Sequence, residues 1–179
     1  MSRGAFDPLL GLATLLRHRV RFVVIGGFAG RLWGSPTLTN DLDVCYARED
    51  ANLEALATAL RELGARLRGA PGDLRFPLSA ASLRAGDHFT FVTRAGNLDC
   101  LGLPAGAEDF DALERAATVM DLDGLHVRVA ALEDLIRMKR AAGRPKDRIE
   151  VEVLGALREE IERDNEIRPR VSPRRPRLR

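Results

Sequence analysis

The chain has 179 residues, 45% of them hydrophobic, which is enough for one globular unit with a real core, alone or with a small helical appendage. Twenty-eight basic and 26 acidic residues leave a net charge of only +2, which excludes a polycationic nucleic-acid binder. Membrane-spanning classes are excluded too, because Arg17, Arg19 and Arg21 break up the first apolar region and no other run approaches the roughly 20 apolar residues a bilayer requires.

Leu9, Leu12, Leu15 and Leu16 recur at helical spacing, and Asp7 and Pro8 stand where a cap and a first helical residue belong, so a helix is expected over 8–19. The β-branched run 22–25 reads as a strand ended by Gly26-Gly27, and a short helix over 28–33 stops before Gly34 and Pro36. A second strand is expected at 42–46, then an amphipathic helix over 52–63 carrying Leu53, Leu56, Leu60 and Leu63 and closing at Gly64. Strands at 88–92 and 98–101, joined by Arg94-Ala95-Gly96-Asn97, make an antiparallel pair. A helix over 110–117, a last strand at 125–129, a helix over 132–142 ending at Gly143 and another from 146 to 163 complete the pattern.

The fold class expected is α/β: a mixed sheet of about five strands flanked by helices, with helices at the C-terminal end closing one side of a cleft. The domain reading is a single unit over 1–165, whose C-terminal helical part begins near residue 131, followed by a tail over 166–179. The stretch 168–179 holds six arginines, three prolines and no acid, so it reads as a disordered basic tail on a mildly acidic body, with affinity for RNA phosphates as its functional reading. Cys45 and Cys100 lie in apolar surroundings with no secretory leader ahead of residue 20, so a reducing cytoplasm is the expected location. Only Lys139 and Lys146 are lysines, a codon bias in keeping with a GC-rich bacterial source.

Asp41-Leu42-Asp43 carries the chemistry. Side chains alternate along a strand, so both carboxylates face one way, and two such charges repel unless a cation compensates them or one takes a proton. A hard divalent cation prefers oxygen ligands of this kind, and Asp99, in Asn97-Leu98-Asp99-Cys100, is the acid best placed to complete a one- or two-metal site. The plainer reading has Asp41 capping a turn and Asp43 on a solvated edge. Gly26-Gly27, after a strand and opening a helix, would bring backbone N–H groups near bound phosphates, or would merely make a tight turn. The glycines lack dinucleotide-fingerprint spacing and neither lysine follows a glycine as in a Walker A loop.

A strand, Gly-Gly, thirteen residues, Asp-Leu-Asp-Val and a later strand Asp together resemble the DNA-polymerase-β-like nucleotidyltransferase superfamily. The segment from Ala131 to Asp147 (ALEDLIRMKRAAGRPKD) is similar to the late part of AbiEii-type abortive-infection toxins and related bacterial nucleotidyltransferases, and the likeness as a whole spans about residues 20 to 157. It implies a minimal nucleotidyltransferase fold and transfer of a nucleotide from an NTP to an RNA hydroxyl, such as the 3′ end of tRNA, or to a protein hydroxyl, with release of pyrophosphate. It implies Asp41, Asp43 and Asp99 as catalytic and metal-binding residues, with Mg²⁺ as the cofactor or Mn²⁺ in its place. Gly26 and Gly27 would cradle phosphates, Thr39 would contact one, and Lys139 would neutralise phosphate charge. Arg144 would assist, and Asp147 would orient Lys139 or substrate, or simply favour a helix dipole.

Alternatives stay open at several of these positions. Thr39 also reads as a hydroxyl bonded to backbone at the start of its strand, and Lys139 as a solvated surface lysine. Thr37 stands where many relatives carry an arginine, which favours the competing reading of a catalytically silent nucleotide- or RNA-binding module. The toxin of a toxin–antitoxin pair, with a cognate antitoxin as partner, is compatible with either. Cys45 shares the face of the two acids but reads as core, and His18, His88 and His126 form no cluster.

Overall fold

The computed structural model describes residues 6–71 and 76–167, so the stretch 168–179 read as a basic tail lies outside the described residues. Fourteen elements follow in order: α1 (Pro8–Arg17), β1 (Phe22–Ile25), α2 (Gly26–Leu32), β2 (Asp41–Tyr46), α3 (Asp50–Glu62), β3 (Arg66–Leu67), α4 (Ala80–Ala85), β4 (His88–Thr93), β5 (Gly96–Leu101), α5 (Phe110–Ala116), β6 (Thr118–Leu122), β7 (Leu125–Val129), α6 (Leu132–Ala142) and α7 (Pro145–Ile167).

The strands form one mixed sheet in the order β3-β4-β5-β2-β1-β7-β6. β2 lies between antiparallel β1 and parallel β5, so it is a central strand, and the reading of Asp43 as a residue on a solvated edge falls. The α/β class holds, with seven strands in place of about five. The two additional strands are short or exposed edges. β3 has two residues, and β6 pairs with β7 through a turn at Asp123 and Gly124, both at positive φ, which is the Asp-Gly signature of a type I′ hairpin. The β4–β5 pairing runs from His88↔Leu101 to Thr93↔Gly96, so the hairpin turn is Arg94-Ala95 and Gly96 and Asn97 already belong to the strand. α4 lies in a region with no expected element, and α7 runs to Ile167, past the expected start of the tail.

Local chemistry sets the start of α1 and the end of α6. Asp7 Oδ1 accepts from the N–H of Leu10 to cap α1 ahead of Pro8, and Gly143 ends α6 in the left-handed conformation that glycine adopts without penalty. Leu12 and Leu15 of α1 and Leu53, Leu56 and Leu60 of α3 are fully buried, forming a core with Val24, Leu42, Val44 and Leu98, residues whose neighbours in sequence point to the opposite face. Burying each leucine is worth roughly 1.5–3 kcal/mol before entropy is counted. Gly11 approaches Leu42 so closely that a Cβ there would meet Leu42 Cδ2 at 3.1 Å, which sets how near α1 lies to the sheet.

The other face of the sheet is left partly open. α2 packs beside β2 and against α6, and α6 packs on α7. Trp33, at the end of α2, donates its indole N–H to the Ala130 carbonyl at 2.8 Å and ties that helix to the end of β7. The α2–α6–α7 group therefore stands as a wall beside the open half of the sheet, and a cleft of about 760 Å³ runs between them. Among the described residues, no helix is long and apolar enough to cross a membrane.

Candidate active site

Asp43 and Asp99 face each other in the parallel β2–β5 register, and Asp41 lies two residues before Asp43, opposite Asn97. Period-two alternation thus puts all three acids on the open face, along the cleft floor. The structure brings the three expected acids together. It holds each differently. Asn97 Nδ2 donates to Asp41 Oδ1 at 2.8 Å. Asp99, 9% exposed, accepts from Arg68 Nη2 at 2.9 Å through Oδ2, while its Oδ1 is buried without a hydrogen-bond partner.

Asp43 lies against the start of α2. Gly26 has φ +69° and sits where a Cβ would stand 2.1 Å from Asp43 Oδ2, so only glycine leaves room for the carboxylate there. Burial pushes the Asp43 carboxyl up to about 6. The neighbouring charges of Asp99 and Asp41 act in the same direction, and Lys139 and the Gly27 amide oppose them. Asp99 is raised as well, chiefly by burial, with Arg68 acting against the shift. Acids whose charged forms are this poorly solvated, together with an unpartnered buried oxygen, fit an oxygen-liking divalent cation. Among the described residues no three acids form a ready-made metal cage, and Arg68 lies 3.8 Å from Asp41 Oδ1 as well as against Asp99.

The opposite wall comes from α6 and α7. Lys139 lines the cleft, but its side chain is only 11% exposed, so it is not the solvated surface lysine of the plainer reading. Its Nζ pairs with Glu150 and lies 3.4 Å from Asp147 Oδ1. Asp147 is fully buried and also accepts from Arg144 Nε at 2.7 Å and from the Arg144 backbone N–H at 3.2 Å. Asp147 therefore accepts from the residue that opens the first turn of α7 and lies within ion-pair distance of Lys139. Burial opposes ionisation of Asp147, yet the bonds from Arg144 and the charges of Lys139 and Arg144 outweigh it and hold the carboxyl below its ordinary range.

Thr39 makes long bonds to the Asp41 backbone, 3.3 Å from its Oγ1 to the carbonyl and 3.4 Å from the Asp41 N–H, and its Cβ lies 3.1 Å from the position of a Cβ on Gly27. It also lines the cleft, as do Gly26, Gly27 and Arg144. Cys45 is fully buried and donates through Sγ to the Gly102 carbonyl at 3.5 Å, as a core residue. Sequence reasoning missed Arg68, Glu150 and His88, all of which line the cleft. Ala65-Arg66-Leu67-Arg68 does alternate apolar and charged, and Glu150 follows Asp147 by three on one helix face, but neither signal names a partner.

No family profile and no curated protein sequence matches the chain. Solved structures do. The lincosamide antibiotic adenylyltransferase LnuA, lincomycin-bound, aligns over 87% of this chain and 99% of its own at 11% identity with a TM-score of 0.57. The antibiotic-resistance factor ANT(2'')-Ia aligns over 89% of this chain and 91% of its own at 18% identity and TM-score 0.50, and its complex with adenylyl-2''-tobramycin gives the same score. A Thermotoga maritima protein assigned to the nucleotidyltransferases aligns over 86% and 89% at 16% identity and TM-score 0.51. The chain has the nucleotidyltransferase fold, at whole-domain coverage of these neighbours.

Proposed function

We propose that this cleft transfers a nucleotide from an NTP to a hydroxyl acceptor with release of pyrophosphate. The observation that carries the reading is the in-register pair Asp43 and Asp99, with Asp41 beside them, on the floor of a cleft whose walls are Gly26-Gly27 and Lys139. Asp41, Asp43 and Asp99 would hold Mg²⁺ or Mn²⁺, which when bound neutralises phosphate charge and polarises the attacking hydroxyl. The first-turn amides of α2, with Thr39, lie where they would receive phosphate oxygens, while Lys139 and Arg144 neutralise charge from the other wall. The acceptor oxygen bonds to the α-phosphorus, the bond from that phosphorus to the bridging oxygen breaks, and the electron pair leaves with pyrophosphate. Asp99, in register with Asp43, would be the carboxylate of the cluster that receives the hydroxyl proton.

The neighbours named above include enzymes acting on antibiotics, and a small antibiotic is one acceptor class this fold admits. Lys146, beside Arg144 on the cleft wall, would meet the phosphates of an acceptor that carries them, so RNA, with tRNA as the case to try first, ranks ahead of a protein hydroxyl. The biological role in this reading is that of a cytoplasmic bacterial toxin restrained by a cognate antitoxin. Incubation with Mg²⁺, each labelled NTP and total tRNA tests it: label on RNA or protein with wild type and none with Asp43→Ala supports transfer, and an unchanged rate in the variant overturns the assignment. Growth unaffected by induced expression counts against the toxin role.

The silent nucleotide- or RNA-binding module is the second reading, favoured by Thr37 and by the Arg68 salt bridges. Mg²⁺-dependent NTP binding with no product on any acceptor would establish it.

A further inference from the structure

Arg68 is a basic side chain bonded to one member of the acid cluster and close to a second. Its guanidinium reaches diagonally across two strands, 2.9 Å from Asp99 Oδ2 on β5 and 3.8 Å from Asp41 Oδ1 on β2. On the opposite wall, Lys139 is committed to Asp147 and Glu150, and Arg144 to Asp147. Three carboxylates so close need positive charge nearby, and Arg68 supplies it.

The backbone of Arg68 is anchored independently of its side chain. Its backbone N–H bonds to the Thr90 carbonyl at 2.8 Å, directly after the two-residue edge strand β3, and Gly69 follows at φ +79°. The backbone is pinned, while the side chain is about a third exposed and is held by the two acids. A guanidinium carries one delocalised charge and takes carboxylate oxygens that an inner-sphere cation would need. Two cations a few ångströms apart also repel.

We propose that Arg68 is a resident counter-cation of the acid cluster that a divalent cation must push aside, so that metal binding and release of the Arg68 guanidinium toward substrate phosphate are coupled. The inference rests on the metal-dependent transferase reading. It makes Arg68 a positioning residue that sets the metal dependence of the site and keeps the acids ordered until metal and nucleotide arrive together.

The test is Mn²⁺ binding to the full-length protein, read from the free-Mn²⁺ electron paramagnetic resonance signal, for wild type, Arg68→Gln, Arg68→Lys and Asp43→Asn. Removing one positive charge beside a divalent cation should tighten binding by about tenfold in Arg68→Gln, with Arg68→Lys in between. Adding a non-hydrolysable NTP analogue should narrow the gap between wild type and Arg68→Gln, because the freed guanidinium then has a phosphate to meet. Mn²⁺ binding that is equal or weaker in Arg68→Gln, and lost in Asp43→Asn, overturns the role of Arg68 and leaves the metal-dependent transferase reading intact. Binding absent from every variant overturns both. Should Arg68→Gln fail to fold, by far-ultraviolet circular dichroism, Arg68→Lys decides by the same criterion of tighter or not tighter.

Discussion

Asp43 Oδ2 lies 2.1 Å from where a Cβ on Gly26 would stand, so the carboxylate occupies the space that a side chain at that glycine would need. Gly26 also has φ +69°, a conformation that costs any residue with a Cβ of the order of 1–2 kcal/mol. Gly26→Ala is therefore expected to destabilise the protein by about 2–3 kcal/mol in urea melts and to displace the Asp43 carboxylate. Nucleotide transfer should fall more than a hundredfold, well beyond what the stability loss explains. A variant of unchanged stability would show that the glycine is not needed for this packing.

The Asp43 carboxyl, pushed up to about 6 by burial and its acidic neighbours, links stability to pH with a definite sign. Its folded value is above its unfolded one, so between pH 4 and 6 the folded state binds the extra proton and stability falls as pH rises through that window. Above it the metal-free fold carries the full penalty. Asp43→Asn should stabilise the metal-free protein by roughly 1–3 kcal/mol at pH 7.5, a gain that shrinks toward zero near pH 4. Thermal melts at the two pH values check this. Mg²⁺ should raise the wild-type midpoint at pH 7.5, raise it less at pH 5, and leave Asp43→Asn unmoved.

Asp147 meets Lys139 and Arg144 from a fully buried position, so truncating it leaves Lys139 with Glu150 alone and returns Arg144 to water. Asp147→Ala is expected to cost about 1–3 kcal/mol. Glu150→Gln keeps Asp147 in place beside Lys139 and should cost about 1 kcal/mol or less while weakening NTP binding through a less firmly held Lys139. Equilibrium unfolding and isothermal titration with an NTP analogue separate the two. A stable Asp147→Ala with normal NTP affinity would remove this pair from the site.

Cys45 and Cys100 are both fully buried, and burial pushes the Cys45 thiol up to about 12 and the Cys100 thiol also upward. Neither should react with a thiol-specific disulfide reagent in the native state at pH 8, and both should titrate in urea. Fast labelling of one thiol in the native protein would show that its strand opens locally.

The α/β order, the antiparallel β4–β5 pair and the three acids on one face were legible because each rests on local chemistry: period-two alternation in 41–43, glycine stops at 64 and 143, and a proline at a helix start. The Asp123-Gly124 hairpin was equally local and went unread, although those two residues mark the β6–β7 turn directly. β3 left too faint a trace, since two residues on a sheet edge cannot show a period.

What the sequence determined by itself is the supply of chemistry, namely acids at alternate strand positions, a glycine pair after a buried strand, and a lysine and an aspartate on successive helices. Tertiary structure alone decided which of these meet. Strand order put β5 beside β2, so that Asp99 stands opposite Asp43 from 56 residues away. Edge pairing of β3 carried Arg68 to two acids, and the packing of α6 on α7 buried Lys139 between Asp147 and Glu150. The reason is physical: periodicity reports the face a residue takes on its own element, while the partner across a sheet or a helix pair is set by the burial of every other apolar side chain in the chain.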